Sequence, residues 1–404
     1  MGPVSAALLL ESEDVNAFRD EPEAARGAAA ALGRRIGLSE QRTGELVLAV
    51  AEIGTNLRKH AEEGTLLLRV LRTADVAGVE LLAIDSGPGI ADVALALRDG
   101  ESSTGTLGIG LGAVRRLSDA FELHSVPGRG TVLLARFWPR GTPPRLTGNE
   151  PAVAGITRPM SGEQECGDAW ATRADTGAAP AAAPEPQPQP RAQANAPGSL
   201  MDWSVLTGRR ARSADSPAPA APATRFEGSV SAVAPGPGDA VLVMLCDGLG
   251  HGPLAATAGR EAVNAFRAGR SRTPEQAVQE IHRALARTRG AALAVVRIER
   301  AGGELTFCGV GNIAAALVTP DSRTNLLSQP GIVGHQMHRL RTYRHALPED
   351  GTLVMHSDGL SERWRPADLA PVLSRPATLI AAHLLRQAGT RRDDASVVVA
   401  KGLW

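Results

Sequence analysis

The sequence predicts an α+β protein of two domains, an α/β sandwich followed by a sheet-rich half flanked by helices. Three observations lead there. Apolar runs of strand length alternate with amphipathic stretches over residues 3–140. The same alternation returns over 240–400. Between them, at about 176–224, lies an Ala/Pro-rich tract containing PAAAPEPQPQP and PAPAAPA. Such a tract buries too little apolar surface to offset its ordering, so disorder is expected there.

In the first half, residues 5–10 suit a short strand and 15–36 have helical spacing. Gly37-Leu38-Ser39 then breaks the pattern, with Ser39 placed to cap a second helix from 40 to about 61. Residues 65–71 and 79–84 read as strands joined by a turn, and 112–119 as a helix. A final hairpin over 122–125 and 131–137 turns at Pro127-Gly128-Arg129-Gly130. Residues 141–155 are rich in Pro, Thr and Gly and suit a linker.

In the second half, 240–245 is a strand, and 252–267 and 274–289 are helices. Strands come next at 291–298 and 305–309, with 313–318 completing a hairpin. A strand at 352–356, a helix at 376–387 and a strand at 395–400 finish the chain. CGDAW (166–170) belongs chemically with the strands and helices on the far side of the Ala/Pro tract. The tract is therefore read as an insert within one domain, because loop closure costs grow slowly with length. The domains expected are 1–140, a linker at 141–155, and 156–404.

Composition excludes several classes. The 404 residues hold 43 Lys+Arg and 43 Asp+Glu, so no basic excess points to nucleic acid or an anionic membrane. Hydrophobic residues are 43% and aromatics only 3%, so the cores are built from Ala, Val, Leu and Ile. Cys166, Cys246 and Cys308 are widely spaced, which argues against a disulfide framework or zinc site and for a reducing, cytoplasmic setting. No apolar run is long enough to span a bilayer.

Three segments of the first half carry chemistry. In AEIGTNLRKHA (51–61), Glu52 and Asn56 share one helix face. A carboxylate beside an amide oxygen suits a Mg²⁺–triphosphate site, although polar pairs of this spacing are more often a solvated face. In IDSGPGI (84–90), Asp85 ends an apolar strand before a Gly-Pro-Gly turn. A carboxylate fixed there accepts from an exocyclic amine such as adenine's, a bond of roughly 1.5–3 kcal/mol; the same residues also make a plain turn. In STGTLGIGLGAV (103–114), glycines precede a helix, where bare amides wrap phosphates. The spacing G-x-G-x-G without a leading strand excludes a dinucleotide-binding fingerprint.

In the second half aspartates end or border apolar strands at four places: Asp168 in CGDAW, Asp247 in CDGLGHG, Asp358 in MHSDGLSE and Asp393-Asp394 in RRDDASVVVA. One Asp-Gly is ordinarily a turn; four acidic sites in strand context, two of them followed by Gly, point to convergence. Two carboxylates about 4 Å apart repel by about 4 kcal/mol at an effective dielectric near 20. Such a cluster is protonated or holds cations, and oxygen-only ligands select Mg²⁺ or Mn²⁺. A pair of ions about 3.5–4 Å apart clamps a phosphate and generates hydroxide from bound water.

The order E-x-x-x-N, D-x-G-x-G, Gly-rich loop over roughly residues 1–140 resembles the GHKL (Bergerat-fold) ATPases, in particular the anti-sigma-factor serine kinases and related switch kinases. The resemblance implies Glu52 as catalytic base and Asn56 as Mg²⁺ ligand. It implies that Asp85 and Gly89 hold adenine, with Gly87 in the same turn. Gly108, Gly110 and Gly112 would line the phosphate lid, and Thr131 would add a nucleotide contact.

From about residue 156 onward, the order GD, DG-x-GHG, SDG, DDAS-VVV is similar to the SpoIIE-like branch of the metal-dependent (PPM-type) serine/threonine phosphatases. That implies a PPM-type β-sandwich flanked by helices, beside a Bergerat-type α/β sandwich. By this match Asp247 bridges both ions and Gly248 lends its carbonyl. Asp358 and Asp393 complete the coordination spheres, and Asp168 binds one ion or its water. Asp394 is the lesser ligand of its pair; Arg158 is the one candidate for the phosphate-holding arginine of eukaryotic members. His251 is either a proton donor to the leaving serine or a satisfied turn histidine.

Together the halves imply opposed chemistry on one target, with ATP, Mg²⁺ and Mn²⁺ as cofactors. The expectation is a bifunctional partner-switching regulator acting on a serine or threonine of an anti-sigma-antagonist (STAS) protein in bacterial stress control. Two alternatives stay open: a phosphatase governed by an ATP-sensing domain that transfers nothing, and a non-catalytic binding protein.

Overall fold

A computed structural model describes residues 8–18, 24–73, 75–98, 110–175, 239–390 and 392–404. The insert expected at about 176–224 lies outside the described residues, and so does the loop 103–109.

The chain starts with β1 (Leu8–Leu9), β2 (Glu11–Phe18), α1 (Ala24–Arg35) and α2 (Glu40–His60). Then come β3 (Thr65–Arg72), β4 (Ala77–Asp85), α3 (Val93–Ala96), α4 (Gly110–Leu117), β5 (Ala120–Val126) and β6 (Gly130–Phe137). Ser39 caps α2 as expected, accepting from the Arg42 N–H at 3.2 Å. The five strands form one antiparallel sheet in the order β2-β3-β4-β6-β5. α1, α2 and α4 pack one face of it through Ala25, Leu32, Leu46, Val50, Ile53 and Val114.

Two expectations need correction here. Residues 15–18 do not begin a helix; they finish β2, which pairs with β3. Their apolar spacing fits both periods, and pairing with β3 satisfies the backbone groups that a helix would have satisfied. The short strand expected at 5–10 is β1 where it is described, but it pairs in parallel with a strand of the second half.

A single turn, α5 (Pro144–Thr147), leads into β7 (Pro151–Arg158). Residues 151–155, expected in the linker, are thus strand. β8 (Asp168–Asp175), β9 (Ala240–Gly248), α6 (Pro253–Ala268) and α7 (Pro274–Ala284) come next. A 3₁₀ turn (Leu285–Arg287) replaces the end of the helix expected to reach 289. The remaining elements are β10 (Ala291–Glu299), β11 (Glu304–Val310), β12 (Ala314–Val318), β13 (Arg323–Leu326), β14 (Tyr343–Ala346), β15 (Thr352–His356), α8 (Pro366–Leu369), α9 (Ala377–Ala388) and β16 (Ala395–Ala400).

They form two sheets, β14-β11-β10-β9-β8 and β1-β7-β16-β15-β12-β13. Their inner faces meet through Val153, Trp170, Val243, Val296, Met355 and Val398. α6 and α7 cover the outside of the first sheet. The hairpin expected between 305–309 and 313–318 does not form. β12 pairs with β13 and β15 in the other sheet, while β11 pairs with β10 and β14. Both strands are apolar on two faces, so alternation carried no information about which sheet each joins.

α9 has ten buried residues and no solvated stripe. Such a helix lies between layers. One side packs on Ile156, Val397 and Val399 of the second half, the other on Leu82, Ile84, Val132 and Leu134 of the first. Buried polar contacts reinforce the join. Glu80, 1% exposed, accepts from Arg69 at 2.6 Å and from Arg136 at 2.8 Å. Arg69 also donates to the Gly155 carbonyl, and Arg136 to Thr378 of α9 at 3.4 Å. Among the described residues no helix is long and apolar enough to cross a membrane.

Candidate functional site

Two clusters of chemistry-bearing residues lie at strand ends. The first surrounds Asp85. α2 buries Leu46, Val50 and Ile53 in the core, which leaves Glu52 and Asn56 half-exposed at its edge. The Asn56 amide donates to Glu52 Oε1 at 3.2 Å, so the expected pair does meet. Asp85, the last residue of β4, stands opposite Thr131 of β6. Its Oδ1 accepts the Gly87 N–H at 2.8 Å. Burial pushes the Asp85 carboxyl up, while Gly87, Thr131 and the Arg386 guanidinium of α9 pull it back.

The turn after Asp85 is tied down on both sides. Ser86 N–H donates to the Glu62 carbonyl beyond α2 at 2.9 Å, and Ile90 N–H to the Ser125 hydroxyl at 2.7 Å. Ser125 and Thr131 hydroxyls are 2.9 Å apart. Gly87 and Gly89 lie inside this turn; Gly110 and Gly112 open α4, with Gly112 buried. Gly108 lies outside the described residues.

Gly130, expected as part of a hairpin turn, also borders Asp85. Its φ is +87°, and a Cβ there would run into the Asp85 carbonyl. Gly130→Ala is expected to weaken binding of an adenine nucleotide by about tenfold, since a left-handed, sterically closed position displaces Asp85. Titration with a fluorescent ADP analogue reads this, and unchanged affinity would contradict it.

The second cluster lies where the two sheets of the second half end together. Asp168 opens β8 directly opposite Asp247 of β9. Asp358 comes just after β15 and Asp393 precedes β16, its neighbour in the facing sheet. The Ser357 hydroxyl donates across to Asp168 Oδ2 at 2.6 Å. Asn312 donates to Asp358 Oδ2 at 2.6 Å. Asp247 is pushed up to about 9 by burial and by the charges of Asp168, Asp358 and Asp393. Asp168 rises to about 7, chiefly through burial. Burial and the Asp393 charge also raise Asp358.

Among the described residues no three acidic, histidine or cysteine side chains already close around one point. The donor set nonetheless fits a hard divalent cation. It is all oxygen, and Asp168 Oδ1 is buried with no hydrogen-bond partner. The Gly248 N–H donates to the Gly167 carbonyl at 3.2 Å, and a Cβ on Gly248 would lie 2.5 Å from the Ala255 carbonyl. Only glycine admits that approach of α6 to the Asp247 strand.

Three other residues find definite places. Asp394 spends both oxygens on backbone, accepting from Met160 N–H and Gly167 N–H at 2.7 Å each. It therefore clamps the loop that carries Asp168. Arg158 donates to the Thr390 carbonyl at the end of α9 and is buried there. That placement commits it to holding the chain near Asp393. His251 Nδ1 lies 2.9 Å from Glu163 on the exposed rim. Ser357, Asn312 and Arg386 are given no role by the sequence; Ser357 adjoins Asp358 in MHSDGLSE and Asn312 lies in the strand–turn segment GVGNIAA (309–315), but nothing local marks Arg386.

Each half is matched by a family model. A family model described as a histidine kinase-like ATPase domain matches residues 17–137, and one described as Stage II sporulation protein E (SpoIIE) matches 237–402. The serine/threonine-protein kinase RsbT of Bacillus subtilis (strain 168) is 33% identical over 117 residues, 29% of this chain and 88% of that protein. A solved structure described as the bacterial stressosome, a modular system adapted to control secondary messenger signalling, is 24% identical. It covers 62% of this chain and 98% of its own, with a TM-score of 0.43. RsbX in complex with magnesium is 16% identical, covering 62% and 94%, with a TM-score of 0.41.

Proposed function

We propose, for a chain that belongs to the RsbT-like histidine kinase-type ATPases over residues 17–137 and to the SpoIIE phosphatase family over 237–402, a bifunctional switch acting on one phosphoprotein. The N-terminal half phosphorylates a serine or threonine of a STAS-type partner from ATP. The C-terminal half removes that phosphate with Mg²⁺ or Mn²⁺. The observation that chiefly supports this is the convergence of Asp168, Asp247 and Asp358 at neighbouring strand ends, all three carboxyls raised, with a buried Asp168 oxygen that has no hydrogen-bond partner.

In the phosphatase half Asp168, Asp247, Asp358 and Asp393 hold the cations, with the Gly248 carbonyl beside them. Bound divalent ions supply a water acidic enough to attack phosphorus near neutral pH. Ser357 orients Asp168 and Asn312 orients Asp358. In the kinase half Glu52 takes the proton of the substrate hydroxyl, and Asn56 holds Mg²⁺. Asp85, with Gly87, Gly89 and Thr131, reads adenine; Gly108, Gly110 and Gly112 flank the phosphates.

Glu52→Gln is expected to cut phosphoryl transfer to the partner by about 10²–10⁴-fold while nucleotide still binds, the usual weight of a general base. Labelled ATP with a purified STAS partner checks it, and transfer that survives the substitution rules Glu52 out. A second reading keeps the phosphatase and makes the first half a nucleotide sensor. It is favoured by Arg386, a residue of the phosphatase half whose charge acts on Asp85. Nucleotide binding without transfer, and a phosphatase rate that varies with ADP or ATP, would select it.

A further inference from the structure

We propose that Arg287, Arg289 and the strap 331–342 form a basic docking rim for acidic residues flanking the phosphorylated side chain of the substrate protein. This rests on the phosphatase reading of the C-terminal site. The strap lies on segment 282–291: Gly334 N–H donates to His282 Nδ1 at 2.9 Å, and His335 Nε2 is 3.1 Å from the Thr288 carbonyl. Ala291 and Val333 exchange backbone bonds of 3.0 and 2.9 Å. No acidic residue occurs at 281–298 or 322–348. The joined segments present Arg287, Arg289, His335, His338, Arg339 and Arg341, all exposed.

On a chain with equal acidic and basic counts, this concentration of one sign is local. It also stands unspent. Among the described residues the side chains of Arg287, Arg289, Arg339 and Arg341 have no hydrogen-bond or ion-pair partner. Arginines elsewhere on the same half do: Arg260 pairs with Glu165, and Arg272 and Arg297 with Asp175.

The rim reaches the metal-binding loop. Leu249 N–H donates to the Gly290 carbonyl at 3.0 Å. Arg289 Nη1 lies 2.8 Å from where a Cβ of Gly250 would stand, in the loop just after Asp247. A phosphoserine delivered to the carboxylate cluster would therefore carry its neighbouring residues past Arg289. Carboxylates there gain complementary charge; lysines meet repulsion. The occupant is thus an acidic phosphoprotein segment.

The test uses two phosphoserine peptides of equal length, one with Asp/Glu flanks and one with Lys flanks. With Mn²⁺ at low ionic strength, the full-length protein is expected to prefer the acidic peptide by about tenfold in kcat/KM, mainly through KM. The preference should shrink at about 0.5 M salt. Combining Arg289→Glu with Arg339→Glu is expected to invert it, and Arg289→Gln to reduce it. A wild type without preference, or a preference untouched in the double variant, overturns the proposal. So does inhibition by duplex DNA that exceeds inhibition by poly-glutamate. Fluorescein-labelled copies read by anisotropy give the same comparison without turnover. Hydrolysis of p-nitrophenyl phosphate by the wild type separates the two readings: none sinks the phosphatase itself, whereas hydrolysis without flank preference sinks only the rim.

Discussion

Asp247→Asn is expected to lower phosphatase turnover by about a thousandfold while raising the melting temperature of the metal-free protein at alkaline pH. The first effect comes from removing the carboxylate on which the others converge, with the metal-supplied stabilisation it anchors. The second comes from proton linkage. Asp168 near 7 and Asp247 near 9 are raised above the ordinary value of 3.8. The folded, metal-free state therefore holds more protons than the unfolded one between about pH 4 and pH 9. Stability from these groups is present at low pH and drains away as pH rises through that window. A neutral amide at 247 removes the larger part of the slope. Divalent metal supplies the missing positive charge, so Mn²⁺ should stabilise wild type more at about pH 8 than at about pH 6. Melting curves with EDTA and with Mn²⁺ at both pH values check this. A variant less stable than wild type at about pH 8 in EDTA would contradict the account of crowded carboxylates.

Glu80→Ala is expected to destabilise the whole chain by about 3–5 kcal/mol, the cost of removing the shared carboxylate from a buried ion cluster. Glu80 lies between Arg69 and Arg136, and all three are nearly inaccessible. Because the same arginines reach Gly155 and Thr378 in the second half, both halves should unfold in one transition at a lower urea concentration. Trp138 reports on the first half, and Trp170 and Trp364 on the second. The triple replacement Glu80→Leu, Arg69→Met, Arg136→Met should cost less than Glu80→Ala alone, because it removes the buried charges together and leaves only the solvent-reaching Glu150 without Arg136. Two separated transitions in the wild type would show that α9 and this ion cluster do not join the halves into one cooperative unit.

Local chemistry determined much of this protein. The apolar face from Leu46 to Ile53, capped by Ser39, could only be a helix, and it necessarily put Glu52 and Asn56 on one face. The run Ala240–Gly248 delivered Asp247 to a strand end because β-rich apolar residues stop where glycines begin. Such features depend on periodicity within a few residues, so they are legible in one dimension. Periodicity says that a face is buried, however, and not against what. For that reason Val15–Phe18 fitted a helix until β3 supplied a partner, and β11 and β12 gave no sign that they belong to different sheets. Tertiary structure alone decided that α9 is shared between two sheets and that the charge of Arg386 acts on Asp85. It alone set Asp168 opposite Asp247, with Ser357 and Asn312 as the donors that orient the acids. Strand register and the packing of distant apolar surfaces choose those neighbours, and neither is written in the spacing of the residues that meet.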